Sequence, residues 1–330
     1  MSEPGIGRRA GALPWLGSAP APWAGSGPIL ARLILLSALL LSACGGGGGG
    51  GGAERPDAPV VTALSAAPVM YAEPMRIEFD GEHLGPSITI RLTGACESEV
   101  VIELRAEPQT GVASCTPDSL GPILIEALSA EGEPLRQLQV EVKAPRVEMA
   151  IGPAGSAASF TFELDPGGRG SGQRPWVDLF LHRLRSGEYD GTVFHEVRGG
   201  VLHQGGCYRM DNQGIPRASV LSEPPEPVTP SLLGSNIKDT LAMSSDLCGP
   251  SDGARQPGSF ALHFADNASG SLTDKDSDRF VVIGRLQAGD ASAWNLLANQ
   301  RPRLQPAVGW PLFFPADPEA VTIRRIERTQ

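Results

Sequence analysis

Apolar and polar residues alternate in three short stretches: Met75-Arg76-Ile77-Glu78-Phe79, Ile88-Thr89-Ile90-Arg91-Leu92 and Leu138-Gln139-Val140-Glu141-Val142. A period of two with one apolar face predicts antiparallel strands buried on one side. Asp80-Gly81, Gly85-Pro86 and Glu131-Gly132-Glu133-Pro134 supply turn chemistry between them. The pattern then changes. Val177, Phe180, Leu181 and Leu184 recur at helical spacing. Pro175 suits the first turn of that helix and Gly187 its C-terminal cap.

Several short strands within residues 56–146 predict a small β-sandwich, immunoglobulin-like in the broad sense. This region carries no catalytic constellation. Its lone histidine, His83, falls in a turn. Residues 147–330 form a second expected domain, so the whole chain is read as all-β dominated.

The first 55 residues follow a different logic. The apolar run Leu33–Leu41 is too short to span a bilayer as a stop-transfer helix. It is followed by Ser42-Ala43-Cys44 and eight consecutive glycines. A cationic-then-apolar start closed by small residues reads as an export signal. Leu41-Ser42-Ala43-Cys44 resembles the lipobox of bacterial lipoproteins. That resemblance implies a signal peptide over 1–43, removal at that point and lipidation of Cys44. Residues 44–55 are then a flexible tether, because glycines bury nothing that offsets backbone entropy. The expected location is the bacterial envelope, membrane-bound through the lipid anchor. Gly45 lacks the aspartate associated with inner-membrane retention, which points to the outer membrane facing the periplasm.

The formal net charge is −10. Arg8, Arg9, Arg32 and Glu3 place +2 of this before Cys44, leaving −12 on the remainder. An acidic surface argues against a nucleic-acid partner. Besides Cys44 there are four cysteines, Cys96, Cys115, Cys207 and Cys248, an even number in an exported chain. Disulfides are the default reading. Pairing within each expected domain, Cys96–Cys115 and Cys207–Cys248, is the economical choice, and other pairings stay open. No C-x-x-C pair or His–Cys cluster calls for a metal, and no motif calls for a cofactor.

Past the predicted helix come Ser186-Gly187-Glu188-Tyr189-Asp190-Gly191-Thr192-Val193-Phe194-His195 and Gly199-Gly200-Val201-Leu202-His203-Gln204-Gly205-Gly206. Thr240–Met243, Gly258–Asn267 and Phe280–Leu286 follow. These five blocks, in this order, resemble the cyclophilin family of peptidyl-prolyl isomerases. The resemblance covers nearly all of 147–330. It implies a closed eight-stranded antiparallel barrel capped by two helices, the second over Asp290–Leu297, with Val321-Thr322-Ile323 as the closing strand. Tyr189, Asp190, Gly191, Phe194 and His195 read as fold-bearing residues.

The family's site maps onto this chain unevenly. The arginine that follows Phe-His in the family donates to the substrate backbone, and here that position is Glu196, which accepts but cannot donate when ionised. Arg198, two residues along the same strand, faces the same side and is a possible substitute, displaced by about 6–7 Å. The family's glutamine is retained as Gln204. The apolar floor becomes Val201 and Leu202. The next strand carries Ser259 for a glutamine and Ala261 for a pocket phenylalanine. Leu272 is aligned with the pocket leucine, and Phe280 stands where a histidine is common. The barrier to X–Pro rotation is about 18–20 kcal/mol, and a site that lacks donor and aromatic wall lowers it poorly. The expected function is therefore an isomerase of weak activity on proline-containing segments of envelope proteins. The alternative is a peptide- or protein-binding or structural lipoprotein without catalysis. No nucleophile elbow, phosphate loop or paired catalytic carboxylates suggest another chemistry.

Overall fold

A computed structural model describes residues 57–84, 88–96, 101–105, 110–167, 171–219, 221–222, 237–244, 247–248, 256–266, 280–305 and 312–330. Cys44, the glycine run and Leu272 lie outside these residues. Residues 56–330 cluster as one compact unit, separate from 1–55.

The N-terminal part of that unit holds two antiparallel sheets. One has the order β1 (Val60–Ala67), β2 (Met75–Glu82), β5 (Thr110–Cys115), β4 (Val101–Arg105). The other runs β3 (Thr89–Gly94), β6 (Gly121–Leu128), β7 (Pro134–Val142). The alternation read from sequence is realised in β2, where Met75, Ile77 and Phe79 are buried and Arg76, Glu78 and Asp80 are exposed. A disulfide joins Cys96, just past β3, to Cys115 at the end of β5, and so ties the two sheets. The turn expected at Asp80-Gly81 does not form. The strand continues to Glu82, and Gly81 makes this possible because a Cβ there would fall 2.0 Å from the Val60 carbonyl oxygen. His83 does sit in a left-handed bend, half exposed, with Nε2 3.4 Å from Asp57.

The rest is one large antiparallel sheet with a path of eight strands. Its order is β10 (Thr192–Arg198), β11 (Leu202–Met210), β16 (Phe260–His263), β13 (Thr240–Ser244), β17 (Phe280–Gly289), β9 (Ala158–Leu164), β8 (Arg146–Ile151), β20 (Ile323–Arg328). β12 (Pro216–Ala218) pairs with β11 off this path. Short hairpins β14 (Leu247–Cys248) with β15 (Gln256–Pro257), and β18 (Pro302–Gln305) with β19 (Leu312–Pro315), complete the strands. The first and last strands of the path are linked by a single bridge, Val193 to Thr322, and not by a ladder. The sheet is thus curled. The last strand also starts later than the sequence suggests, because a 3-10 turn occupies Glu319–Val321 after Pro318.

Helix α1 (Arg174–Arg185) and helix α2 (Ala291–Ala298) are the two α-helices among the described residues. α1 starts with Pro175 in its first turn and is followed by Gly187 in the left-handed region, as the sequence predicts. α2 is capped by Asp290, whose carboxylate accepts from Ser292 N at 2.8 Å and Ala293 N at 3.3 Å. Val177, Phe180 and Leu181 of α1 pack with Phe160, Phe162, Met149, Leu241, Phe260 and Ile283 in the sheet's inner core. This core is continuous with that of the N-terminal sheets.

Polar contacts reinforce that continuity. Arg328 Nη1 donates to the Tyr71 carbonyl at 2.8 Å and to Glu73 at 2.9 Å. Tyr71 Oη donates to Asp178 at 2.7 Å, and burial, with Asp178 next in effect, raises its pKa and keeps it a neutral donor. A guanidinium at the other end of α1, Arg183, is fully buried. It donates to the Pro257 carbonyl at 2.6 Å and the Ser222 carbonyl at 3.3 Å, and pairs with Glu188 at 3.4 Å. A Cβ on Gly258 would meet this guanidinium at 2.5 Å, so the residue before Ser259 has to be glycine. The second disulfide, Cys207–Cys248, holds the β14–β15 hairpin to β11. Both disulfides follow the economical pairing.

Three imidazoles are buried in this sheet: His195, His203 and His263. Burial lowers all three pKa values, to about 3 for His195 and about 4 for His263. His195 and His263 are neutral in the fold.

Two outcomes follow for stability. Replacing Arg183 by alanine strands Glu188 and two carbonyls in an enclosed site. We expect a loss of about 3 kcal/mol, read as a lower urea midpoint, and an unchanged midpoint would contradict the clamp. The histidines set a pH dependence. In the unfolded chain they titrate near 6.5, so below that value the unfolded state binds more protons than the folded one. Their contribution is complete above about pH 6.5 and is lost as pH falls toward the folded values. We expect roughly 2 kcal/mol lost for each of His195 and His263 between pH 7 and pH 5. Urea unfolding at the two pH values checks this. His195→Asn should flatten the dependence, and superimposable wild-type curves would contradict it.

Candidate functional site

Five neighbouring strands, β10, β11, β16, β13 and β17, carry the described residues of the expected site, with Val201 and Ser259 immediately before β11 and β16. Side chains alternate across a sheet, and the two faces separate cleanly here. Phe260 and Leu262 of β16, Leu241 and Met243 of β13, and Val281 and Ile283 of β17 enter the inner core. Their neighbours Ala261, Ala242 and Phe280 join Leu202 of β11 in a second apolar cluster, flanked by Val201 and Val282. Register explains the convergence. Gln204 is opposite Ala261, Ala242 is opposite both Ala261 and Val282, and Ser244 is opposite Phe280.

A polar group borders this cluster. Gln204 Nε2 donates to Ser259 Oγ at 2.7 Å, and both side chains are buried. Glu196 is the cross-strand partner of Gln204. Its Oε1 accepts from Arg198 Nε at 2.8 Å and Nη2 at 2.6 Å. Arg198 is 35% exposed and Glu196 22%. The carboxylate at the family's arginine position is therefore neutralised by the cation two residues on. Such a partly exposed pair is worth little in stability, so its geometry matters more than its strength.

The sequence reading missed Ala242, Val282, Thr240 and His263. Period-two counting from Ala261 finds His263, and strand pairing finds Ala242. His263 Nδ1 is 3.1 Å from Thr240 Oγ1, and its ring stands edge-on to Phe280 with centroids 5.5 Å apart. His203, on the other side of β11, faces the carbonyls of Leu202 and Leu297 at 2.8 and 2.6 Å and serves the core. His195 likewise packs against Tyr208, at 4.9 Å between rings. Tyr189 is a buried strut whose Oη donates to the Gly258 carbonyl at 3.1 Å, and burial raises its pKa.

What this arrangement offers is hydrogen bonding beside an apolar patch, with one cation at the rim. It has no activated nucleophile. Among the described residues no three His, Cys, Asp or Glu side chains gather as metal ligands. Catalysed rotation about a prolyl amide forms and breaks no covalent bond and needs neither.

No family model matches the chain. Over 115 residues the chain is 31% identical to the peptidyl-prolyl cis-trans isomerase cyp18 of Streptomyces antibioticus. The match takes in 34% of this chain and spans 64% of that protein's length. Among solved structures, a cyclophilin-type peptidyl-prolyl isomerase of Cryptosporidium parvum, crystallised in the presence of the dipeptide Ala-Pro, is similar at 18% identity. It covers 56% of this chain and 99% of its own, with a TM-score of 0.33. The Mimivirus cyclophilin gives 18% identity, 56% and 89% coverage, and a TM-score of 0.34. By sequence the chain is similar to a peptidyl-prolyl cis-trans isomerase, and its five ordered blocks resemble those of the cyclophilin family.

Proposed function

We propose that the outer face of β10, β11, β16, β13 and β17 receives proline-containing peptide segments, and that the protein is a cyclophilin-type isomerase of low turnover. The observation that carries this reading is the convergence of Val201, Leu202, Ala261 and Phe280 into one apolar cluster beside Gln204 and Ser259. These residues come from three segments of the chain, brought together by the pairing of neighbouring strands.

Low turnover rests on two substitutions in the expected machinery. Glu196 offers no donor, and its partner Arg198 supplies the nearest guanidinium. Ala261 gives no aromatic wall. A lost charged hydrogen bond costs about 1.5–3 kcal/mol, and only the part that strengthens in the transition state slows turnover. Half of that range is roughly a 4- to 12-fold effect, and the missing aromatic wall adds to it. In this reading Arg198 takes the donor's role and Glu196 positions it. The burial of the cluster also favours the second reading, a module that binds peptide without isomerising it, since the floor of the patch is closed in the absence of peptide.

The setting belongs to the same proposal. Cys44, its lipobox and the glycine tether support an exported lipoprotein held in the outer membrane, acting on envelope proteins. The N-terminal sheets support an immunoglobulin-like spacer, and the curled sheet supports a closed barrel.

Two experiments test this. A prolyl isomerisation assay on protein beginning after Gly52, over a panel of X–Pro peptides, should give a rate at least about tenfold below an ordinary cyclophilin. Arg198→Ala should abolish the residual rate, and Glu196→Arg with Ala261→Phe should raise it more together than singly. Peptide binding without turnover would select the second reading, and neither binding nor turnover would contradict both. Separately, Cys44→Ser should release the full-length protein from membranes or block its processing. Unchanged partition and processing would contradict the lipid anchor.

A further inference from the structure

The outer-face patch is closed in the free protein. Ala242 and Ala261 have no exposed surface, Leu202 is 1% exposed, and Phe280 is 4% exposed while packing with all three. Phe280 is the one ring in this cluster, and its bulk occupies the apolar space that the two alanine methyl groups leave.

Beneath its edge lies a polar atom with nothing to bond. His263 is fully buried, and its Nε2 has no hydrogen-bond partner. The state of that nitrogen follows from its neighbours. Thr240 Oγ1 gives its hydrogen to the Ile237 carbonyl at 2.6 Å. The same oxygen then accepts from His263 Nδ1 at 3.1 Å. Nδ1 thus carries the imidazole hydrogen, and Nε2 presents a lone pair. An acceptor left unsatisfied in a buried site is costly. The Phe280 ring, edge-on at 5.5 Å, offers it no N–H or O–H.

We propose that Phe280 holds the place of a ligand, and that a proline-containing peptide displaces its ring, seating an apolar ring or side chain against Ala242 and Ala261 and donating a backbone N–H to His263 Nε2. Proline itself has no N–H, so the donor is a residue next to it in the peptide. This rests on the reading of the outer face as a peptide groove. It adds a residue that sets access and one that sets orientation, both on strands already in register. A ligand that must first expel Phe280 binds more weakly than the pocket itself would allow, in proportion to the fraction of open molecules.

The test uses the protein from Ala53 onward and a capped Ala-Ala-Pro-Ala peptide. Binding is measured by titration, and His263 is followed through its imidazole 15N signals. Phe280→Ala should tighten binding about tenfold or more, and Phe280→Leu, which keeps more of the packing, should do so by less. Peptide should shift the His263 Nε2 signal in wild type and in both variants. Adding His263→Leu to Phe280→Ala should cancel the gain. If Phe280→Ala melts early, Phe280→Leu and the wild-type 15N shift carry the test. Affinity unchanged in folded Phe280 variants, with binding still lost in Gln204→Ala, would overturn the proposal and leave the peptide groove standing. Absence of binding in wild type and in every variant would overturn both.

Discussion

The packing of Phe260 is the contact on which the candidate site depends. Its ring meets Tyr189 edge-on at 5.2 Å, Phe194 at 5.9 Å and Phe180 of α1 at 6.0 Å. Three segments thereby fix one residue at the start of β16. Once Phe260 points inward, the alternation of the strand sends Ser259 and Ala261 outward. A slip of one residue would exchange the two faces, turning Ser259 and Ala261 toward the inner core and Phe260 toward the other cluster. The supports around Ser259 guard against this. Arg183 grips the Pro257 carbonyl, Tyr189 grips that of Gly258, and Cys207–Cys248 ties the preceding hairpin to β11.

The outer face then follows from geometry rather than from strong individual interactions. Glu196 and Arg198 are placed on one side of β10 by the same period of two, and close on each other at 2.6 Å. Gln204 reaches Ser259 across the β11–β16 pairing. An apolar patch with hydrogen-bonding groups at its border suits an extended chain whose proline has no N–H to satisfy. The pair Glu196–Arg198 leaves a guanidinium at the rim while removing net charge. In the proposed reading the donor is Arg198, anchored two residues along β10 from the position that Glu196 holds.

Much of this was legible in sequence. Alternation located β2 and β7, and helical spacing with Pro175 and Gly187 located α1. The five ordered blocks located the large sheet. Sequence reasoning failed where backbone contacts decide. Asp80-Gly81 looks like a turn, but Gly81 is there because Val60 passes too close for a side chain. The last strand was set too early because a 3-10 turn is hard to tell from a strand end in Val321-Thr322-Ile323. At the site, resemblance pointed to Val201, Leu202, Ala261 and Phe280, but not to Ala242 or His263. His263 follows from Ala261 by a period of two, whereas Ala242 enters through strand pairing, which no local pattern encodes. Whether Arg198 faces Glu196 could be argued from periodicity, but their contact depends on side-chain conformations that only coordinates reveal.

The proposed site for a prolyl peptide is the outer face of five strands and no other surface. Amide chemical-shift mapping of the wild-type protein against a proline peptide at high concentration tests it directly. Shifts should be confined to residues 196–205, 240–244, 259–263 and 280–283, and should saturate together. Shifts centred elsewhere, such as on the cleft lined by Asp211, Pro315, Glu319 and Arg324, would contradict it, and so would a spectrum that the peptide leaves unchanged.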